Sequence, residues 1–394
     1  MDELNQEPPV ALETIKNDEV VRRRHFPVVE KEIFLANAAV CPLPSVSAEA
    51  MSRYAMEATR GDQEARFPAT LFGATRRRAA ELIGAKPADV ALVGPTSIGL
   101  SLVANGLDWQ PGDNVVFNPE DYPSNAVVWM HLARRGVEVR PLDMAANPGT
   151  IALDELRRKV DSRTRLVALS SAHFVTGERL DVATIGPWLK EQGVLFCLDA
   201  IQTVGALATP ARYVDFLAAD AHKWMLGPCA AGIFYVSPEA RPLLEPSLLG
   251  WSNVVCPNFL TPETVTFPDD ARRYEAGSAN LIGLAGMHAS LAMLNHWGSE
   301  ATETAILQHT RTLREELRRL DFTLAGASDE SISGITACHR KGTAMPDLHR
   351  KLSEQGVTAS LRQTRDGQHW LRFSPHAYNT RSEIDETLRL LADL

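Results

Sequence analysis

Strand-like apolar runs alternate with amphipathic helical patterns from about residue 75 to residue 237. Short β-branched runs that alternate with helices are typical of a parallel or mostly parallel sheet with helices on both faces. We therefore expect an α/β fold built on a mostly parallel central sheet. The strand-like runs are 91–94, 111–117, 137–143, 164–172, 194–200 and 231–237.

The two ends of the chain follow a different pattern. Residues 13–26 are predicted as one short helix, and the proline-rich stretch 238–270 indicates an irregular connection. After residue 279 comes one long helical region, then strand candidates at 333–339 and 369–375, which together predict a smaller α+β module. The predicted division is an N-terminal arm packing on the small domain (1–30), a large domain (31–265) and a small C-terminal domain (266–394).

Composition and charge exclude several classes of protein. The 394 residues include 40 Lys and Arg against 49 Asp and Glu, and this net charge of −9 argues against nucleic acid as a partner. No apolar run approaches the ~20 residues of a membrane-spanning helix, and the acidic N-terminus does not resemble a secretory signal. Five cysteines without a CxxC pair indicate reduced thiols. We expect a cytoplasmic protein with no bound metal and no membrane contact.

A carboxylate and a lysine follow two successive buried runs. Asp199 ends the run VLFCLDA, and His222 and Lys223 come shortly after DFLAAD. Open α/β sheets bind ligands at the carboxyl ends of their strands. A lysine that forms a Schiff base and a carboxylate that keeps a pyridine nitrogen protonated are the pair that pyridoxal phosphate requires.

Two further segments carry candidate binding groups. In GPTSIGLSLVANGL (94–107), the start of a helix with the hydroxyls of Thr96 and Ser97 predicts a phosphate site, with ordinary side-chain N-capping as the alternative. The segment matches neither a P-loop nor a Rossmann motif. Arg372, on a short strand, is suited to bind a carboxylate, although a lone strand arginine is more often a surface ion-pair partner.

Four motifs, in this order and spacing, resemble those of the class-V aminotransferases, a family of fold-type I pyridoxal-phosphate enzymes. This family includes cysteine desulfurases, kynureninase and isopenicillin N epimerase-like proteins, and the resemblance runs from about Asn37 to the C-terminal helix. It implies a fold-type I transferase whose large domain binds pyridoxal 5'-phosphate and whose substrate is an amino acid. The motifs are DAIQTVGALATP (199–210), ADAHKWMLGP (219–228), RRYEAGSAN (272–280) and LRFSPHAYNT (371–380).

The resemblance implies a role for each matching residue. Lys223 would form the Schiff base and move the proton at Cα, and Asp199 would pair with the pyridine nitrogen. Ser278 would reach the cofactor phosphate of a neighbouring subunit, so the active unit would be a homodimer with shared sites. The implied catalytic residues are Lys223, Asp199 and His222; the cofactor-binding residues add Thr96, Ser97, Tyr122, His173, Gln202 and Ser278; the substrate-binding residues are Asn37, Arg362 and Arg372.

The sequence also departs from the desulfurase pattern. Desulfurases carry a catalytic cysteine on a loop shortly before the carboxylate-binding arginine, and residues 353–373 contain none. Arg362 stands there instead, in a segment predicted as a flexible loop, where it could bind a distal carboxylate, shield the pocket or face solvent. Cys41 could lie near the pocket or be a buried spacer. Asp220 stands where desulfurases often carry a phosphate-binding serine.

These observations predict an enzyme that acts at Cα of an α-amino acid through a Schiff base on Lys223. Aminotransferase, epimerase-like and C–S lyase chemistry all remain open. One alternative is an enzyme like cysteine desulfurase or selenocysteine lyase that uses another thiol or releases sulfide directly. The other, from a different class, is a non-catalytic scaffold or regulator that binds pyridoxal phosphate.

Overall fold

Thirteen strands are present in a computed structural model that describes residues 9–144, 150–326 and 328–394. They form a seven-stranded, a four-stranded and a two-stranded sheet. The strands are β1 (Ile33–Phe34), β2 (Val90–Val93), β3 (Asn114–Phe117), β4 (Glu138–Pro141), β5 (Thr164–Ser170), β6 (Leu195–Asp199), β7 (Phe216–Asp220), β8 (Gly232–Val236), β9 (Thr323–Leu324), β10 (Thr336–His339), β11 (Val357–Thr358), β12 (Ser360–Gln363) and β13 (His369–Phe373).

The α-helices cover the sheets and join their strands. Short 3-10 turns complete the described part of the chain. The helices are α1 (Leu12–Asn17), α2 (Glu19–His25), α3 (Ser45–Ala58), α4 (Gln63–Arg66), α5 (Ala69–Ile83), α6 (Thr96–Gly106), α7 (Ser124–Met130), α8 (Leu153–Lys159), α9 (Val182–Glu191), α10 (Leu281–Trp297), α11 (Ser299–Arg319), α12 (Met345–Glu354) and α13 (Arg381–Asp393).

The seven-stranded sheet has the order β2-β8-β7-β6-β5-β3-β4. Its five strands from β7 to β4 are parallel, and β8 is antiparallel to both β2 and β7. Successive residues of one strand enter different apolar cores: Val116 and Leu217 face one, Val115 and Phe216 the other. Both faces of the sheet are therefore covered, and the predicted α/β fold with a mostly parallel sheet is confirmed.

The four-stranded sheet near the C-terminus is antiparallel, with the order β12-β13-β10-β9. The prediction that Arg362 lies in a flexible loop is wrong, because Arg362 is on β12 and pairs with Trp370 on β13. This short strand has a polar sequence, SLRQ, and so lacks an apolar alternation that would predict it. The strand is ordered by its hydrogen bonds to β13, which follows it in the sequence after a turn.

Two predicted helices are each broken into two. The predicted N-terminal helix ends at Asn17, because the side chain of Asp18 accepts hydrogen bonds from the amides of Val20 and Val21 and begins a new helix. The long helical region after residue 279 is interrupted at Gly298, whose φ of +81° is a left-handed conformation that glycine adopts readily.

The N-terminal segment contacts the C-terminal part of the chain. The buried guanidinium of Arg22 lies 2.9 Å from the carboxylate of Glu383, and the indole of Trp297 donates to the carbonyl of Val10. β1 pairs in parallel with β11. The division into domains at residues 30 and 265 stays a prediction, and residues 1–8 of the predicted arm lie outside the described residues.

Candidate active site

A cavity of about 360 Å³ opens at the carboxyl ends of β6 and β7. The parallel pairing of these strands brings their carboxyl ends to one edge of the sheet, where α/β folds bind ligands. Most of the predicted site residues meet in this cavity. Those that line it are Thr96, Ser97, Tyr122, Asp199, Gln202, His222, Lys223, Arg362 and Arg372.

Asp199 and Lys223 are both buried in this cavity. Asp199 is the last residue of β6, and its carboxylate accepts a hydrogen bond of 3.1 Å from the amide of Ile201. Burial raises the pKa of Asp199, and the negative charge of Asp121 raises it further. Burial lowers the pKa of Lys223 to about 8 against the attraction of Asp199, and Arg372 adds to the lowering. The site therefore holds an acid and an amine that both ionise closer to neutrality than usual.

The turn after β6 packs against the segment that carries Lys223. The indole of Trp224 donates a 3.0 Å hydrogen bond to the side-chain oxygen of Gln202. Gly205, with φ of +92°, lies so close to this segment that an added Cβ would be 2.4 Å from the carbonyl oxygen of Trp224. This close contact fixes the position of Lys223 relative to Asp199.

The start of α6 forms one end of the cavity. Its N-cap is Pro95 and no side chain caps it, so side-chain N-capping by Thr96 or Ser97 is wrong. The hydroxyl oxygen of Thr96 accepts from the amide of Asp220 at 3.0 Å, and the Ser97 hydroxyl donates to that of Ser124 at 2.9 Å. The Thr96 hydroxyl proton and the first amides of α6 remain as donors for an anion.

His222 lies beside Asp220 at this end of the cavity. Its Nδ1 is 3.1 Å from the Asp220 carboxylate. The two atoms do not form a hydrogen bond, because neither His222 Nδ1 nor Asp220 Oδ1 has a hydrogen-bond partner in the described part of the chain. Asp220 therefore lies beside the imidazole, where desulfurases often carry a serine, without a hydrogen bond that would orient the ring.

Tyr122 forms part of the wall near the amine. Lys223 Nζ lies 5.4 Å from the centre of its ring, and the ring of Phe174 meets it edge-on with centroids 5.5 Å apart. About half of Tyr122 is exposed, so it is not a core residue.

Arg372 is fully buried, so the surface ion-pair alternative is wrong. Its Nη1 donates to the carbonyl of Phe174 and its Nη2 to the hydroxyl of Ser360. Burial lowers the pKa of Arg372 to about 9, and the nearby charge of Arg362 contributes to this lowering. The guanidinium is held in place by neutral oxygens, which leaves its charge for a ligand.

Three predicted site residues lie outside the cavity lining. His173 is held by the Glu120 carbonyl at 3.0 Å and by Thr176, and the buried amide of Asn37 bonds to Ser374 and Tyr378. Ser278 donates to Glu64 at 2.8 Å and lines a separate cavity of about 390 Å³.

The structure adds residues that the sequence did not single out. Ser124 and Phe174 line the cavity. Asp121 is buried close to Asp199, where its carboxylate accepts hydrogen bonds from the amide of Tyr122 and the side chain of Asn125. A signal was available, because Asp121 comes shortly after the carboxyl end of β3, at the same edge of the sheet as Asp199 at the end of β6.

None of the five cysteines lines the cavity, and the structure describes all five as free thiols. Cys41 is buried, and its Sγ is 3.8 Å from the carbonyl oxygen of Gly227. Burial raises the pKa of Cys41 to about 12, so this thiol is not a nucleophile at neutral pH.

Features of a membrane span or a metal site are absent from the described ranges. Within residues 9–144, 150–326 and 328–394, no helix is long and apolar enough to cross a membrane. The same residues contain no group of three or more His, Cys, Asp or Glu side chains that could hold a metal ion.

Comparison with known proteins agrees with this geometry. The family model "Aminotransferase class-V" matches residues 33–387. A cysteine desulfurase of Cronobacter sakazakii is 31% identical over 94% of this chain and 96% of its own, and a probable cysteine desulfurase of Methanothermobacter thermautotrophicus is 27% identical over 94% and 98%. The solved structure of a cystine C–S lyase with its product cysteine persulfide superimposes with a TM-score of 0.86 at 23% identity, covering 94% of this chain and 99% of that one. The chain therefore belongs to the class-V aminotransferase family and is a pyridoxal-phosphate-dependent enzyme.

Proposed function

We propose that this protein holds pyridoxal phosphate as a Schiff base on Lys223 and acts at Cα of an α-amino acid. The observation that carries this proposal is the cavity that Lys223, Asp199 and Arg372 share, since all three are buried ionisable groups. When bound, pyridoxal phosphate withdraws electrons from Cα of an attached amino acid and weakens the bonds at that carbon.

The donor set of the cavity fits this cofactor. Asp199 supplies a buried carboxylate for the pyridine nitrogen. Thr96, Ser97, His222 and the first amides of α6 would hold the phosphate, since together they offer hydroxyl, imidazole and backbone donors. Gln202 retains one amide hydrogen beyond its bond to the Ala38 carbonyl, which is available for a ring oxygen.

The residues around Cα define the chemistry that the chain itself supplies. Arg372 would bind the α-carboxylate through two parallel hydrogen bonds and so decide which bond at Cα is aligned for cleavage. Lys223, once released by the substrate, would be the base that moves the Cα proton. Its lowered pKa suits this task, because a base works best when its pKa is near the working pH.

The cavity limits which reactions the protein performs. None of the five thiols is in the described lining of the cavity, so no residue of that lining could carry a persulfide, which favours aminotransferase, epimerase-like or C–S lyase chemistry. The second candidate is cysteine desulfurase or selenocysteine lyase activity that passes sulfur to a molecule in solution, and the names of the two relatives favour it. A complete set of acid, base and carboxylate-binding residues argues against a non-catalytic scaffold.

We also propose that the active unit is a homodimer. Ser278 lines the second cavity together with Trp251. The segment around Trp251 carries the exposed apolar residues Leu249 and Phe259. Large apolar side chains exposed so close together in the sequence are typical of an interface. A second copy that covers it would let Ser278 reach the cofactor of its neighbour.

Replacing Lys223 by Ala should abolish the visible absorbance of the lysine-bound cofactor. The variant lacks the only amine in the described lining of the cavity. Absorption spectra and the mass of the protein after borohydride reduction measure the bond. Lys341→Ala, which removes an exposed lysine, should keep the wild-type spectrum. A yellow, reducible Lys223→Ala protein would contradict the assignment.

The rate at which the apoprotein bonds to pyridoxal should rise with pH and reach half its maximum near pH 8. Only the neutral amine attacks the aldehyde, and burial lowers the pKa of Lys223 to about 8 from the usual value of 10.5. Pyridoxal is used because it lacks a phosphate that would itself titrate. Stopped-flow absorbance, corrected with Lys223→Ala, gives the profile, and a midpoint near pH 10 would refute the predicted shift.

L-cysteine turnover should be unchanged, within about twofold, in Cys41→Ala, because a protonated, buried thiol takes no part. The product separates the two candidates: pyruvate indicates C–S lyase chemistry and alanine indicates desulfurase chemistry. Chromatography of both products in wild type and variant is the measurement. Loss of turnover together with a persulfide on Cys41 would show that this thiol is the sulfur acceptor.

The wild-type protein should have twice the 43.2 kDa mass of one chain in light scattering. The double variant Leu249→Glu, Phe259→Glu should be monomeric, since charges on an apolar interface oppose its burial. Val20→Glu, at an exposed apolar residue of α2, is the matched control and should stay dimeric. A monomeric wild type would reject the proposed dimer.

A further inference from the structure

The register of β12 and β13 places two arginines on one face of the C-terminal sheet. Ser360 is opposite Arg372, and Arg362 is opposite Trp370. Residues two apart along a strand share a face, so Arg362 and Arg372 are diagonal neighbours, a relation that separates residues by about 7–8 Å. Both side chains line the cavity that contains Lys223.

Neither arginine has an anionic partner in the described ranges of the chain. Arg372 bonds only neutral oxygens, and its buried Nε has no hydrogen-bond partner there. The half-buried Arg362 donates only to the carbonyl of its neighbour Leu361, at 3.3 Å. In contrast, the buried Arg22 lies 2.9 Å from the carboxylate of Glu383.

Two like charges placed side by side repel each other, and this cost is greater away from water. No carboxylate among the described residues offsets this repulsion, although a Glu on the same face of β12 or β13 would do so. An arrangement of two unpaired guanidinium groups in a cavity is therefore suited to a ligand that brings two negative charges.

The proposed function brings two anionic groups into the cavity, the cofactor phosphate and the substrate α-carboxylate. Together they leave one of the two arginines without an anionic partner. The phosphate is assigned to Thr96, Ser97 and His222 at the start of α6, and the α-carboxylate of an amino acid to Arg372. Arg362 lines the same cavity and is then left without an anion.

We propose that Arg362 binds a second carboxylate at the end of the substrate side chain, so that the substrate class is α-amino acids with two carboxylates. The proposal rests on the proposed function, because Arg372 must hold the α-carboxylate for Arg362 to be left over.

Three matched pairs of amino acids test this in the holoenzyme: L-aspartate and L-asparagine, L-glutamate and L-glutamine, and S-carboxymethyl- and S-carbamoylmethyl-L-cysteine. Within each pair a carboxylate is exchanged for an amide of the same shape. The change in absorbance of the bound cofactor on titration gives a dissociation constant for each, whether or not turnover follows.

The wild-type protein should bind the acid of at least one pair about tenfold more tightly than its amide, the effect expected of a hydrogen-bonded ion pair. Arg362→Gln should reduce that preference to less than about twofold and leave the amide's constant unchanged. Arg362→Lys should restore part of it, because it keeps the charge without the paired donors. Arg365→Gln is the matched control, since the exposed Arg365 bonds the Pro119 carbonyl outside the cavity lining and its loss should leave the preference intact.

Different failures are distinguishable. If the amides bind with a normal spectral change but no acid is preferred, the second carboxylate site is refuted and the proposed function stands. If Arg362→Gln weakens acid and amide equally, both arginines bind the α-carboxylate and the proposal is overturned. If no amino acid changes a spectrum that itself lacks the lysine-bound absorbance, the proposed function fails, and this inference fails with it.

Discussion

The parallel pairing of β6 with β7 is the constraint on which the site depends. It sets Asp199 beside Ala218, so that the segment leaving β7 must pass the carboxylate before it reaches Lys223. Burial disfavours the charged forms of both Asp199 and Lys223, and their proximity, with the hydrogen bond from the Ile201 amide to Asp199, offsets part of that cost. The apolar residues of the two strands, packed on both faces, hold the pair in this position.

The C-terminal sheet supplies the opposite wall, and a hydrogen bond of a cavity residue connects it to the large sheet. Arg372 crosses between the two through its bond to the Phe174 carbonyl, on the segment that follows β5. The guanidinium thus joins the sheets and also presents its charge to the cavity. Orienting a buried cation with backbone carbonyls costs less than an ion pair would, since no counter-charge has to be displaced when an anionic ligand arrives.

The alternation of strands and helices, and the residues at the ends of β6 and β7, were predictable because they follow from local patterns and from sheet topology. The strand that carries Arg362 was not, because its order comes from pairing with β13 rather than from its own residues. The roles of Asn37 and His173 were implied by the resemblance alone. Their side chains bond to other loops, and no local sequence pattern predicts such contacts. Asp18 is an example within a predicted helix. The apolar spacing predicts one continuous helix, but the side chain of Asp18 caps a second helix and so divides it.

The segment from Asn37 to Cys41 joins three parts of the molecule within a few residues. Asn37 is bonded through its amide to Ser374, Ala38 accepts from Gln202, and the amide of Cys41 donates to the carbonyl of His222. Each of these bonds fixes the backbone at one end or the middle of a five-residue stretch. The length of this stretch is consequently set by the distance it spans, so an insertion or deletion here cannot be absorbed as it is in a surface loop. Variation among related chains in this segment should therefore take the form of substitution at constant length.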